Sequence, residues 1–319
     1  NIVYSDATKG WLPLEDDVTA LEPVAPPTQK AIFGYGYNAS GGGRLSMSNL
    51  VNSSGVVAAD VTGVGTARMT IAATSYGGDK AIFGYGDSGS ATNLSNLVSS
   101  SGVIASDTTG VGTARYAPAA ASYDGDKGIF GYGDTGGDSY VSLTNLVNNF
   151  GVIATDTTGV GTARRYLAAT GYGSSGQAVF AYGSTGSRLS MKNLVSNSGV
   201  VASDATGVGS ARNNLAAVKY GTDKAIFGYG STGSITGVTN LVSNVGVIAS
   251  DVSGVGTARQ YLAAASYGGD KALFGYGNTA SGAVSMTNLV NNSGVVGSDV
   301  TGVGSVRETL GAAGYSTSA

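Results

Sequence analysis

The chain has no cysteine and no histidine. Without cysteine it forms no disulfide and offers neither a thiolate metal ligand nor a cysteine nucleophile. Without histidine it lacks the side chain that most readily exchanges protons near neutral pH, and with it a common transition-metal ligand. Charge is sparse too: 12% of the 319 residues are charged, about half the usual quarter. Seventeen Lys and Arg against twenty Asp and Glu leave a formal charge of −3, which argues against a nucleic-acid surface built from clustered cations. No apolar run approaches the ~18 residues of a membrane span, so no membrane insertion is expected, and no charged-then-apolar leader opens the chain. The first residue is Asn1, not Met, so a processed product or a piece of a longer chain is expected.

What the chain has in abundance is glycine, 53 residues against five prolines, which suits many tight turns between short strands. The glycines keep no three-residue period, so collagen is excluded. Instead one element recurs: "KAIFGYG" from Lys30, Lys80 and Lys224, "KGIFGYG" from Lys127, "QAVFAYG" from Gln177 and "KALFGYG" from Lys271. Its marker residues are Phe33, Phe83, Phe130, Phe180, Phe227 and Phe274, at spacings of 50, 47, 50, 47 and 47. A period of this size signals a repeat architecture, with six copies of one unit.

Each unit holds four short apolar stretches separated by turn chemistry. From Arg259 they read "RQYLAAASY", "KALFGYG", "VSMTNLVN" and "GVVGSDV". Stretches of this length bounded by Gly, Asn, Asp and Ser are strand-like, and four antiparallel strands in about 48 residues match one propeller blade. The strands are apolar on both sides, as sheets packed face to face require. The small-sided "LAAA" stretch suits the innermost strand, where blades converge. The expected fold is therefore all-β, a six-bladed β-propeller of four-stranded antiparallel blades.

The chain ends are complementary. Nothing before Lys30 resembles an inner strand, whereas "RETLGAAGY" from Arg307 to Tyr315 is an inner strand with no second strand after it. Pairing the two completes a sixth blade and removes two open edges. Residues 30–319 are thus expected to form the propeller. Residues 1–29, with the single Trp11, a "DATKG" turn and a stiff "EPVAPPTQ" stretch, read as a connector containing a small hairpin.

Over residues 30–315 the units resemble kelch-type β-propeller repeats, which carry an Arg before the first strand, a Gly-ended second strand and a late turn into the next blade; "TARQYLAAASYGGDKALFGYG" follows that pattern. The near-identical Gly- and Ser-rich units are also similar to propeller arrays of tailed-phage virion proteins, especially tail fibres and related appendages. "YSDATKGWLPLEDD" is similar to connector segments of such fibres. This resemblance implies a virion or extracellular location, other appendage proteins as partners through residues 1–29, and a homo-oligomer in the assembly.

Asp and Arg stand eight residues apart in every unit: Asp60 with Arg68, Asp107 with Arg115, Asp156 with Arg164, Asp204 with Arg212, Asp251 with Arg259 and Asp299 with Arg307. A functional reading makes them a ring of anion or Ca²⁺ sites. A structural reading makes Asp a turn residue and Arg a clamp on that loop or on the adjacent blade, and six equivalent copies favour the second. "GVGTAR" and "FGYG" are not phosphate loops, because neither matches G-x-x-x-x-G-K-[ST] or opens a helix. No G-x-S-x-G elbow supports a Ser nucleophile. Asp134 and Asp138 share one loop and could in principle pair for glycoside hydrolysis, but loop solvation explains them as well.

The loops between second and third strands vary most. By strand alternation they share a face with the connections that follow the outer strands. Tyr37, Arg44, Asp134, Asp138, Tyr140 and Arg188 lie in the loops, and Tyr116, Tyr166 and Tyr261 follow the repeat Arg. Aromatics with Arg and Asp on a rigid rim suit a carbohydrate or a protein ligand; ordinary surface variation is the competing account. The expectation is a non-enzymatic virion structural or adhesion protein with no cofactor and no metal, contacting host-surface carbohydrate or protein. The alternatives are a propeller enzyme acting on glycans through acidic loop residues, and a kelch-like interaction scaffold. The missing histidine weighs against the first and the missing helical adaptor domain against the second.

Overall fold

The alternation of small, β-branched and aromatic residues in "KAIFGYG" produces a strand buried on both faces. In the computed structural model, which describes residues 2–6, 10–13 and 28–319, Ala81, Ile82 and Phe83 all have no exposed surface. That strand, Lys80–Gly84, pairs antiparallel with the inner strand Ala72–Tyr76 on one side and with Ser95–Val98 on the other. The same register recurs in the units built on Lys127–Gly131, Gln177–Ala181, Lys224–Gly228 and Lys271–Gly275. No helix occurs among the described residues.

The two ends of the repeat region share a sheet. Gly311–Tyr315 pairs with Lys30–Asn38 in the register Gly311↔Gly34 through Tyr315↔Lys30, and Lys30–Asn38 continues to Gly43–Val51. Chain ends far apart in sequence therefore build one unit equivalent to the other five. Ile2–Asp6 pairs antiparallel with Gly10–Pro13, the hairpin expected around "DATKG"; the rest of the connector, residues 14–27, lies outside the described residues.

The expected four-stranded sheet is complete in one unit only, where Val296–Val300 adds to Thr287–Val290. In the others the outer segment meets the third strand through two isolated bridges, such as Ser48↔Val61 and Val51↔Val57. In every unit, the complete one included, a buried asparagine of the third strand bonds the outer segment with its side chain. Asn49 Nδ2 donates to the Ala58 carbonyl and to Asp60 Oδ1, each at 2.9 Å, so a side chain replaces backbone ladder bonds midway. Asn96, Asn145, Asn193, Asn240 and Asn288 repeat this arrangement.

The apolar core lies between units rather than within them. A Cβ on Gly34 would stand 2.7 Å from the Phe83 ring of the next unit, and one on Gly275 would stand 2.6 Å from Phe33. Glycine is needed there because the tip of the neighbouring phenylalanine ring abuts the strand. Phe83 also meets Tyr35 edge-on at 5.1 Å, and Phe33 meets Tyr276 at 5.0 Å. Each inner strand lies against the inner strands of the units before and after it, and Gly311–Tyr315 lies against both Ala263–Tyr267 and Ala72–Tyr76. Alanine, serine and glycine predominate on these strands because their backbones approach closely: Ser75 Oγ donates to the Gly314 carbonyl at 2.8 Å.

Candidate functional site

Six junctions between units carry a polar latch of Arg, Asn and Asp, and at two of them, Arg164 and Arg212, the Arg Nε also reaches a Tyr carbonyl. Arg164, with no exposed surface, lies with its guanidinium 4.3 Å from the centre of the Tyr132 ring in the unit before it. It donates from Nη2 to Asn193 Oδ1 at 2.8 Å and from Nε to the Tyr182 carbonyl at 2.9 Å in the unit after it. Asn193 in turn donates to Asp204, whose carboxylate accepts the Thr162 amide at 2.9 Å and the Thr162 hydroxyl at 2.6 Å. Burying an unpaired guanidinium is costly; here the ring face, the asparagine oxygen and the nearby carboxylate compensate it.

This corrects the expected Asp–Arg pairing. Arg307 faces Asp60 at 3.8 Å, Arg212 faces Asp251 at 3.8 Å and Arg259 faces Asp299 at 3.9 Å. The carboxylate comes from the following unit, not from eight residues upstream. Each Asp holds the connection entering its unit, and the eight residues after it carry the next Arg on to another junction. The structural reading, with Arg as a clamp on the adjacent unit, describes these contacts.

The face above the latches is where the units differ. The residue after each repeat Arg bridges to the first residue of the second-to-third-strand loop, as in Tyr116↔Asp134, Arg165↔Ser184 and Gln260↔Asn278. Loops and connections therefore share this face, as strand alternation predicts. The next residue in each unit, Thr70, Ala117, Tyr166, Asn214, Tyr261 and Thr309, is left-handed with φ between 49° and 57°. Their backbones form one cycle: Ala117 N donates to Thr70 O, Tyr166 N to Ala117 O, Asn214 N to Tyr166 O, Tyr261 N to Asn214 O and Thr309 N to Tyr261 O, at 2.8–3.2 Å. The sixth bond, from Thr70 N to Thr309 O, completes it at 2.8 Å.

One part of this face gathers most of the anticipated residues. Arg165 donates from Nη1 to Asp134 Oδ2 at 2.6 Å and pairs through Nη2 with Asp138 Oδ1 at 2.8 Å. Tyr116 OH donates to Asp134 Oδ2 at 3.1 Å, and Tyr140 OH donates to Asp138 Oδ1 at 3.1 Å. The guanidinium also lies 5.1 Å from the Tyr140 ring and 5.0 Å from the Tyr166 ring, and Tyr166 meets Tyr261 edge-on at 6.0 Å. Burial pushes the Tyr166 hydroxyl up to about 12, helped by neighbouring Tyr261 and opposed by Arg165, so it stays protonated at any physiological pH.

Tyr116, Asp134, Asp138, Tyr140, Tyr166 and Tyr261 thus meet around an arginine that the sequence reading missed. Asp134 is not a solvated loop residue: its side chain is fully buried, while that of Asp138 is 68% exposed. The other anticipated residues stand apart. Tyr37 is in register with Arg44, and Arg44 reaches Asp87 of the next unit at 3.0 Å. Arg188 bridges to Ser184 in its own loop. Among the described residues no group of three potential metal-binding side chains converges, and no helix is long and apolar enough to cross a membrane. No protein-family model matches the chain, and no curated protein matches it.

Proposed function

We propose that the chain is a six-bladed β-propeller that acts, without catalysing a reaction, as a structural and adhesion module of an extracellular assembly, a phage tail fibre or similar virion appendage. The cyclic order of inner-strand contacts, the phenylalanine tip set against glycine at successive junctions and the pairing of Gly311–Tyr315 with Lys30–Asn38 support the propeller. The observation that carries the function is asymmetry. Six junctions hold their polar groups in one repeated latch, whereas the junction of the third and fourth units alone adds Arg165, two carboxylates and a group of tyrosines on the rim.

A rigid frame that presents one differentiated patch suits recognition, because little ordering entropy is lost on binding. Both carboxylates are held by Arg165 instead of standing free for proton transfer, which favours binding over glycoside hydrolysis. The likeness of the repeats to tail-fibre arrays supports a place on the virion, with residues 1–29 attaching the ring to other appendage proteins and several copies raising a weak single-site affinity. Gold-labelled antibody imaged on native particles, together with cell binding by the purified chain and by a Tyr140→Ser, Tyr166→Ala double variant, tests the reading. Label on appendages and a loss of cell binding in the variant are expected. Label absent from the particle exterior, or cell binding indifferent to both tyrosines, overturns it.

A further inference from the structure

Both terminal nitrogens of Arg165 already hold a carboxylate. Nη1 serves Asp134 and lies 3.4 Å from the Tyr116 hydroxyl, and Nη2 serves Asp138. A carboxylate or sulfate ligand would have to displace Asp134 or Asp138 from those nitrogens and would meet two carboxylates against one cation. What remains available is different in kind. Asp138 is largely exposed, and one of its oxygens accepts from Tyr140 and Arg165, which leaves acceptor capacity for hydroxyl donors. The Tyr140 ring stands beside it. Toward the axis lies the Tyr166–Tyr261 pair, over a hollow of about 70 Å³ lined by Asn214, Thr70 and Thr309.

Tyr166 and Tyr261 are themselves part of the lining of that hollow, so a ligand placed there meets both side chains. Tyrosine suits such a contact because it offers a rigid apolar face with little entropy to lose. The backbone beneath is left-handed at both Tyr166 and Tyr261, and strained non-glycine conformations of this kind persist where their surroundings hold them firmly. We infer that this patch is a subsite for an uncharged hexose unit, its C–H face laid on one ring of the edge-on Tyr166–Tyr261 pair and against the edge of the other, with a hydroxyl pair donated to Asp138, and that it discriminates against acidic sugars.

The inference rests on the adhesion reading, and the repeat supplies well-tolerated substitutions. Ala117 occupies the position equivalent to Tyr166, so Tyr166→Ala and Tyr261→Ala keep a residue that the left-handed site already accepts. The purified chain is presented to immobilised gluco-, galacto-, manno- and N-acetylhexosamine oligosaccharides and to the same oligosaccharides capped with uronate or sialate. Retention of at least one neutral oligosaccharide is expected, with its acidic counterpart at least ten-fold weaker. Tyr166→Ala or Tyr261→Ala should lose at least ten-fold with unchanged melting temperature, and Asp138→Asn should narrow the gap between neutral and acidic forms. No retention of any neutral oligosaccharide, equal or stronger retention of the acidic form, or indifference to both tyrosines overturns the subsite. Host-cell binding measured in parallel separates the two ideas: cells bound without oligosaccharide retention defeat the subsite alone, and oligosaccharides retained without cell binding defeat the adhesion reading alone.

Discussion

The amide of Thr70 donates to the carbonyl of Thr309 at 2.8 Å, linking the start of the second unit to the start of the unit completed by the chain's last strand. It belongs to a six-membered cycle in which every participant is left-handed. A β-branched residue is poorly suited to that conformation. Thr309→Gly should therefore stabilise the protein by about 1 kcal/mol, seen as a higher urea midpoint with an unchanged slope. A lower midpoint would mean that the Thr309 side chain contributes more than its backbone strain costs.

Removing residues 311–319 tests the pairing between the chain ends. Lys30–Asn38 would lose its partner along one edge, and the faces of Ala73 and Phe83 against Gly311 would be uncovered. Open edges and apolar faces promote association. The truncated protein should elute as aggregates and scatter light at concentrations where the parent is clear; a dispersed, cooperatively melting product would contradict this account of the ends.

Arg212 isolates the contribution of one latch. Its Nη2 donates to Asn240 at 2.6 Å and its Nε to the Tyr229 carbonyl at 3.1 Å, and Asp251 stands 3.8 Å away. Arg212→Met would leave these acceptors buried without their cation. A loss of about 3 kcal/mol is expected from chemical denaturation, within the range for breaking a buried pair. Cell or oligosaccharide binding should persist, since the Arg212 side chain bonds Asn240, Tyr229 and Ser210 and none of the patch residues. Binding lost at full stability would reverse the assignment.

The latch carboxylates also set the acid response. Partial burial pushes Asp60, Asp107, Asp156, Asp204, Asp251 and Asp299 up, but the Ser or Thr hydroxyl, the Asn amide, the backbone N–H and the Arg together outweigh it and hold each below the ordinary value. A folded value below the unfolded one means that the contribution is complete above the unfolded value, about pH 4, and is lost as pH falls through the folded value. Melting temperature should stay flat from neutral pH to about 5 and drop below about 4. Asp251→Asn should melt lower at neutral pH and decline less steeply in acid, because one of the titrating groups is gone. Parallel declines would place the acid sensitivity elsewhere.

Much of this architecture is legible in the sequence because it is repeated. Five copies of "FGYG", the variant "FAYG" and a terminal strand without its partner suffice to anticipate strand pairing between Tyr315 and Lys30. Repetition also hides information. Each Asp recurs at the same interval from every Arg, so the period could not say whether Arg212 meets the Asp before it or Asp251 after it. The outer strand looked regular because the pattern of Val57 and Val61 is strand-like, and nothing in it signalled that Asn49 would insert its side chain. Arg165 escaped notice for a related reason: in "TARRYL" it stands beside the repeat arginine, at a position filled elsewhere by Met69, Tyr116, Asn213, Gln260 and Glu308. That variability was the available signal.

The repeat finally offers a way to invert the proposed selectivity without disturbing the frame. Ser184 occupies in the fourth unit the place that Asp134 occupies in the third, and each makes the same pair of backbone bridges: Ser184 with Arg165 and Arg188, Asp134 with Tyr116 and Tyr140. Replacing the loop "DTGGDSY", residues 134–140, by "STGSR" should therefore preserve the fold, with melting temperature changed by only a few degrees. The exchange removes both carboxylates that hold Arg165 and adds a cation. Arg165, now without Asp134 and Asp138, would present a free guanidinium fork beside Tyr166, and the sign of the local field would change from negative to positive. Neutral oligosaccharides should bind more weakly for want of Tyr140 and Asp138, while uronate- or sialate-capped forms should bind more tightly and lose that gain above about 0.3 M salt, where screening shortens the reach of exposed charges. If the exchanged protein folds and still prefers the neutral forms, the carboxylates do not set the selectivity, and Tyr166 and Tyr261 act through shape alone.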